Sequence, residues 1–200
     1  MDDIVRLHER ALDEAARLVD GVTPAQLDLP TPCSEWDVRA LLTHIVGGNL
    51  RWVSVAQGTP VPRPSAQAAR TGPDLLGDDP AAAYRRSAAA LIEAWQDPAL
   101  LDQQFDIPFG IMPGRAALTL HVVETVTHGW DLARATGQSP AFDPDVVRTA
   151  LHFTQQTLPP SRPPGSPFAA PVPPPDDAPE IDRLAAYLGR GIVSERAPIS

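Results

Sequence analysis

The chain has 200 residues and a mass of 21.4 kDa, which is long enough to bury a core without disulfide bonds. Its 16 basic residues are all arginine, so no lysine exists for a Schiff base or a Walker-type phosphate loop. The single cysteine excludes an internal disulfide and a cysteine-rich zinc site. The net charge of −9, with no basic run longer than Arg85-Arg86, argues against a nucleic-acid partner held by phosphate contacts.

The N-terminus carries acidic residues where a signal peptide has a cationic region. No apolar run approaches the roughly 18 residues that a membrane helix needs. We therefore expect a cytoplasmic protein that has no membrane partner.

Apolar spacing predicts two helices in the first quarter of the chain. The first extends from about Ile4 to Val19, where apolar residues recur at three- and four-residue steps. The second is predicted from Glu35 to Val55, with Ser34 and Asp37 at capping-box spacing. Two consecutive glycines at 47 and 48 each cost this helix roughly 1 kcal/mol, which indicates that a large group lies close to its backbone.

The middle of the chain is predicted to hold three more helices. Residues 58–79 have the composition of a long loop, and Asp79-Pro80 then begins a third helix. The stretch from Phe105 to Gly114 is apolar without strand alternation, so we expect an irregular segment across the helix ends and a candidate homodimer interface at 105–113. A fourth helix is predicted from Arg115 to Thr136, and a fifth after Asp143-Pro144.

The C-terminal part is dominated by proline. Ten of the 21 residues from 159 to 179 are proline, which is typical of an extended, polyproline-like segment. A last short helix is predicted from Glu180 to Leu188. The sequence thus predicts an all-α fold, in which residues 1–158 form a four-helix bundle with an extra helix and residues 159–200 form a proline-rich strap with a short helix on the same domain.

The fourth helix carries the residues best suited to chemistry. His121, Glu124, His128 and Asp131 fall on one side of it, and most remaining positions are apolar. A helix that is apolar almost all round is usually buried. A buried carboxylate must be paired, protonated or metal-bound, because isolated burial of its charge is very costly.

Glu124 and His128 are four residues apart, so one helix presents both to a single metal ion. His44, in an apolar stretch of the second helix, would supply a third ligand and leave open positions for water or substrate. The glycine at 48, one turn further on, would leave room above the ion. His121 is an alternative ligand, and Asp131 an acceptor that fixes an imidazole tautomer.

Other interpretations of the same residues stay open. The histidines and Glu124 can equally be hydrogen-bonded core residues. Arg51 lies on the side of His44 and is a candidate contact for an anionic substrate, or a partner for a nearby acid. Cys33, just before the second helix, is either a nucleophilic thiol or, as we favour, a small buried residue at a turn. His8 and His152 lie on outer helices and are predicted to be surface groups.

Two blocks of sequence together resemble one family. The block Pro32-Cys33-Ser34-Glu35-Trp36, continuing to His44, and the block from Glu124 to Ala133 are similar to the DinB-like, mycothiol-dependent maleylpyruvate isomerase N-terminal family. The C-terminal block from Asp182 to Arg190 resembles an actinobacterial metal-binding subgroup of unassigned activity. The resemblance implies a four-helix bundle with a divalent metal, usually zinc, on His44, Glu124 and His128, and a low-molecular-weight thiol activated by that metal.

This resemblance leads to a metal-dependent thiol transferase or isomerase as the functional hypothesis. Mycothiol is the expected cosubstrate, and the second substrate is expected to be electrophilic or anionic. Zinc suits the mixed nitrogen and oxygen ligands, and nickel, iron or manganese are alternatives. The family's isomerase has a further C-terminal α/β domain, whereas this chain has only the proline-rich strap and one short helix at that place. A non-catalytic metal- or ligand-binding module is the alternative function, and no residue is assigned a catalytic role.

Overall fold

A computed structural model describes residues 3–34, 36–59, 72–107, 110–162, 166 and 168–192. Within these ranges the chain forms six α-helices, two short 3₁₀ turns at Pro24–Gln26 and Pro98–Leu101, and one two-stranded sheet. The elements are α1 (Asp3–Asp20), α2 (Val38–Ala56), α3 (Pro80–Ala94), β1 (Gln104–Ile107), β2 (Gly110–Pro113), α4 (Gly114–Thr136), α5 (Pro144–Thr157) and α6 (Glu180–Tyr187).

The first four helices form the bundle. Helix α1 packs against α3 and α4, and α2 packs against the same two helices from the other side. Helix α5 lies on α4 and α1, and α6 lies on α5 and α4. The predicted all-α class is therefore confirmed. Among the described residues, no helix has the length and apolar character that crossing a membrane requires.

Helix α2 begins three residues later than its capping pattern predicts. Its N-cap is Asp37, whose backbone is extended and whose side chain accepts a hydrogen bond from the backbone N–H of Ala40 at 2.8 Å. The prediction that Ser34 caps a helix starting at Glu35 is wrong, because the helix begins at Val38 and Asp37 is its N-cap. Glu35 itself lies outside the described residues, as do residues 60–71 of the predicted loop.

The segment before α4 is a β-hairpin, which corrects the prediction of an irregular, strand-free stretch. Strands β1 and β2 pair antiparallel, with Phe105 opposite Met112. Along β1 the side chains alternate between exposed and buried, and Phe105 and Ile107 point into the core. The alternation covers only four residues, which is too short to stand out in sequence. Ile111 on β2 is 73% exposed.

Helix α4 lies at the centre of the molecule. Residues on every side of it are buried, as its nearly continuous apolar surface predicts. It ends at Gly137, which adopts the left-handed conformation that closes many helices.

The proline-rich strap and α6 pack onto this core. The backbone N–H of Val172 donates to Ala186 at 3.0 Å, and the Tyr187 hydroxyl donates to the Leu158 carbonyl at 2.7 Å. Leu184 and Leu188 of the C-terminal segment belong to the same hydrophobic cluster as the bundle. This packing places Arg190, the residue after Gly189, beside α4.

Candidate functional site

His128 on α4 is held by the carboxylate one turn further along the same helix. Its Nδ1 donates to Oδ2 of Asp131 at 3.2 Å. Asp131 is completely buried, and His128 is half-buried. A proton fixed on Nδ1 leaves Nε2 as the nitrogen that carries a lone pair, which is the arrangement found around metal-ligating histidines.

Asp131 is also clamped by Arg190, which follows α6. Arg190 Nε donates to Oδ1 at 3.2 Å and Nη2 donates to Oδ2 at 2.9 Å. Burial acts to raise the pKa of Asp131, but the hydrogen bond from His128 and the guanidinium of Arg190 outweigh it, so that this pKa is lowered. The buried carboxylate is therefore ionised near neutral pH.

Cys33 lies at the edge of this cluster. Its Sγ is 3.7 Å from Oδ2 of Asp131 and 3.3 Å from Nη2 of Arg190. Burial and the negative charge of Asp131 raise the pKa of the thiol to about 12, against the opposing effect of Arg190. The structure therefore disfavours the thiolate form of Cys33, which is half-buried rather than fully buried at its turn.

His44 of α2 meets His128 of α4 across the bundle. The two rings are edge to face with their centroids 4.8 Å apart. Trp36 covers both, at 4.3 Å from His44 and 5.8 Å from His128 between ring centroids. The structure therefore brings together two of the three predicted ligands, against an aromatic wall.

Glu124 lies one turn before His128 on α4. Its Oε2 accepts a hydrogen bond from Trp52 Nε1 at 3.0 Å, and Trp52 is itself buried in α2. Glu124 is half-buried. The carboxylate thus lies between α2 and α4, oriented by an indole that the sequence did not single out.

His121 is buried one turn earlier on α4, and its partner is His8. His8 Nε2 and His121 Nδ1 are 3.0 Å apart, and only 1% of His8 is exposed. Burial lowers the pKa of His8 to about 3. The pKa of His121 is also well below its usual value because of burial, with smaller contributions from His8, Arg51 and His128. Both imidazoles are therefore neutral near pH 7.

The prediction that His8 is a surface group is wrong, whereas His152 is exposed as predicted. His8 lies four residues from both Ile4 and Leu12, which puts it in the buried stripe of α1. This spacing was visible in the sequence. The sequence does not indicate that a second histidine, His121, lies opposite His8. Arg51 of α2 is half-buried, and its charge reaches His121.

Among the described residues, one set of three has its donor atoms within 4.8 Å of one another, and it consists of Cys33, His128 and Asp131. An ion there would compete with Arg190 for the same carboxylate and thiol, and it would need the Nδ1 proton of His128 removed. The charge of the guanidinium makes this cluster a poor cation site.

The predicted ligands His44, Glu124 and His128 do not form such a 4.8 Å group, although their donor types are ones that a divalent metal takes. Two imidazoles and one carboxyl group suit a divalent ion such as zinc. Metal-ligating histidines commonly donate their other ring N–H to a carboxylate, and Asp131 is such an acceptor for Nδ1 of His128. The ligand set itself remains a prediction.

Arg190 is the residue that sequence reasoning missed. It lies 59 positions from Asp131, at the end of the C-terminal block that resembles the actinobacterial subgroup, and nothing local to it indicates a contact with α4. Only the docking of α6 and the strap against α4 brings the two together.

Comparison with known proteins gives a family match and two close relatives. A family model described as Mycothiol maleylpyruvate isomerase N-terminal domain matches residues 8–133. The uncharacterized proteins MT0763 and Rv0738 of Mycobacterium tuberculosis, strains CDC 1551 / Oshkosh and H37Rv, are each 38% identical over 194 residues, covering 95% of this chain and 99% of the relative. No solved structure matches.

Proposed function

The chain belongs to the family of mycothiol maleylpyruvate isomerase N-terminal domains, and from this membership we propose that it binds one divalent metal ion and uses it to activate a small thiol. The ligands would be His44, Glu124 and His128. The observation that supports this most directly is the edge-to-face pair of His44 and His128, with the Nδ1 of His128 held by a buried, ionised Asp131.

A bound divalent ion would act as a Lewis acid that lowers the pKa of a thiol, so that a thiolate exists near neutral pH. Mycothiol is the thiol that the family name indicates, and zinc is the metal that the donor set suits best. The protein's own thiol is less suited to this role, because burial and the charge of Asp131 raise the pKa of Cys33 to about 12.

The remaining residues of the site would bind and orient. Asp131 keeps the proton of His128 on Nδ1, and Trp52 donates to the Glu124 carboxylate, which restricts its rotation. Trp36 covers the two imidazoles and limits the access of water to them. Arg51, half-buried on α2, would attract an anionic substrate group. The reaction class is thiol transfer to an electrophile, or isomerisation by thiol addition followed by elimination of the same thiol.

Metal analysis of the purified protein tests the binding step. We expect about one equivalent of zinc in the wild type and almost none in the double variant His44→Ala, His128→Ala, because two of three ligands are lost. His152→Ala, which removes an exposed histidine of α5, is the matched control and should keep its metal. Equal metal content in wild type and double variant would contradict the proposed site.

Thiol chemistry is tested with the metal-loaded protein, mycothiol and a panel of electrophiles. We expect conjugation or isomerisation above the rate measured with the metal-free protein. Tight zinc binding without any such rate would reject the thiol-activating enzyme and leave a metal-binding module as the function.

A further inference from the structure

Arg190 is a buried charged group in the C-terminal segment, with 8% of its surface exposed. It lies outside the range 8–133 that the family model matches. All three of its nitrogens are engaged by protein atoms. Nε and Nη2 donate to Asp131, Nη2 also contacts Cys33 Sγ, and Nη1 donates to the carbonyl of Leu188 at 3.2 Å.

These contacts assign Arg190 a role other than substrate binding. A guanidinium whose donors already meet a carboxylate, a thiol and a carbonyl has little capacity to bind an anionic ligand as well. Its two bonds to Asp131 form the bidentate geometry that fixes both carboxylate oxygens in one plane. One of those oxygens, Oδ2, is the acceptor for Nδ1 of His128.

We infer that Arg190 is a positioning residue, through which the C-terminal segment fixes Asp131 and so sets the tautomer and orientation of His128. The sequence of contacts leads from the end of α6 through Arg190 and Asp131 to the imidazole of α4. The proposed metal site, on which the metal part of this inference rests, would then be incomplete without residues near 190. Partners of a ligating histidine typically change metal affinity 10- to 100-fold when they are removed.

The chain offers a matched control on the same two elements. Arg134 of α4 bonds Asp182 of α6 through Nη2, at 3.0 and 3.1 Å from the two carboxylate oxygens. This pair also ties the C-terminal helix to α4, through a carboxylate other than that of Asp131. Substitution of Arg134 should therefore loosen the same helix without disturbing the site.

Zinc affinity, measured by competition with a chelating dye, is the first readout. We expect Arg190→Met to weaken binding by about 10- to 100-fold, and Arg134→Met to leave it unchanged. Arg190→Lys retains the charge but cannot form the two parallel bonds, so its affinity should fall between those of Arg190→Met and the wild type. If Arg190→Met fails to fold, Arg190→Lys alone is compared with the control. A wild type that binds zinc tightly, with Arg190 variants that bind equally well, would overturn the inference.

The second readout does not depend on metal. In metal-free protein labelled with ¹⁵N in histidine, the ring shifts of His128 should report a proton on Nδ1 in the wild type and in Arg134→Met. In the Arg190 variants the carboxylate is no longer fixed against Nδ1, and the shifts should move towards the Nε2–H tautomer. Unchanged His128 shifts in the Arg190 variants would reject the positioning role, even if the wild type bound no zinc and the proposed function had failed.

Discussion

His8 and His121 form a buried pair of imidazoles between α1 and α4, and their ionisation is linked to stability. The folded protein binds a proton at His8 only near pH 3, whereas an unfolded chain binds it near pH 6.5. Between these values the unfolded state holds more protons, so its free energy falls relative to the folded state as the pH decreases. The stabilisation is complete above about pH 6.5 and is lost as the pH falls towards 3.

We therefore predict that the free energy of unfolding decreases below pH 6.5, with His8 contributing up to about 1.4 kcal/mol per pH unit. In His8→Gln this contribution disappears and the pH dependence becomes flatter. Urea unfolding between pH 4.5 and 7.5 measures how the free energy of unfolding depends on pH. His152→Gln, at an exposed position, should keep the wild-type slope. A His8→Gln slope equal to that of the wild type would contradict the burial of a neutral His8.

At the scale of the elements, the glycines of α2 and α4 differ in what surrounds them. A Cβ on Gly114, the first residue of α4, would lie 2.0 Å from the carbonyl oxygen of Leu100. On α2, a Cβ on Gly47 would meet the side chain of Leu75 at 3.2 Å, and one on Gly48 would meet nothing within 4 Å. The large group expected close to the two glycines is therefore the side chain of Leu75, which lies next to Gly47. Gly48, one turn from His44, has the open space beside it that the sequence predicts.

These surroundings predict opposite effects of alanine. Gly48→Ala should raise the free energy of unfolding by roughly 1 kcal/mol, because it removes the backbone cost of a helical glycine without a clash. Gly114→Ala should lower it by about 1–3 kcal/mol, because a backbone carbonyl must move. Chemical denaturation at pH 7 compares both with the wild type. A destabilised Gly48→Ala would show that the space beside α2 is filled.

At the scale of the whole molecule, the C-terminal strap and α6 share their core with the bundle. Leu184 and Leu188 are 1% exposed and belong to the cluster that contains Leu118 and Leu132 of α4. The hydrogen bond from Trp130 Nε1 to Asp182 at 2.6 Å adds a polar tie between the same parts. From this packing we expect the folded state to unfold as one cooperative unit.

We predict that Leu184→Ala lowers the free energy of unfolding of the entire chain by about 2–5 kcal/mol. Near- and far-ultraviolet circular dichroism should follow one common transition in the variant, at lower denaturant concentration. Ile111→Ala, at an exposed position of the hairpin, should change the free energy by no more than about 0.5 kcal/mol. A separate early transition, with the rest of the molecule as stable as the wild type, would show that the C-terminal segment unfolds independently.

The sequence by itself determined the helices and the polar side of α4. Periodicity and caps fix a helix locally, and helix geometry alone places Asp131 one turn from His128, so this contact could be predicted. The four-residue strands of the hairpin and the start of α2 were not predictable in the same way, because short alternation and competing caps give weak local signals.

Only the tertiary structure decided which groups meet across elements. Trp52 on Glu124, His8 on His121 and Arg190 on Asp131 each join residues at least 59 positions apart. Such pairs depend on how the helices rotate and slide as their apolar faces pack, which no local pattern specifies. Burial then fixed the charge states, since it keeps His8 neutral, whereas Asp131 stays ionised beside a guanidinium from the far end of the chain.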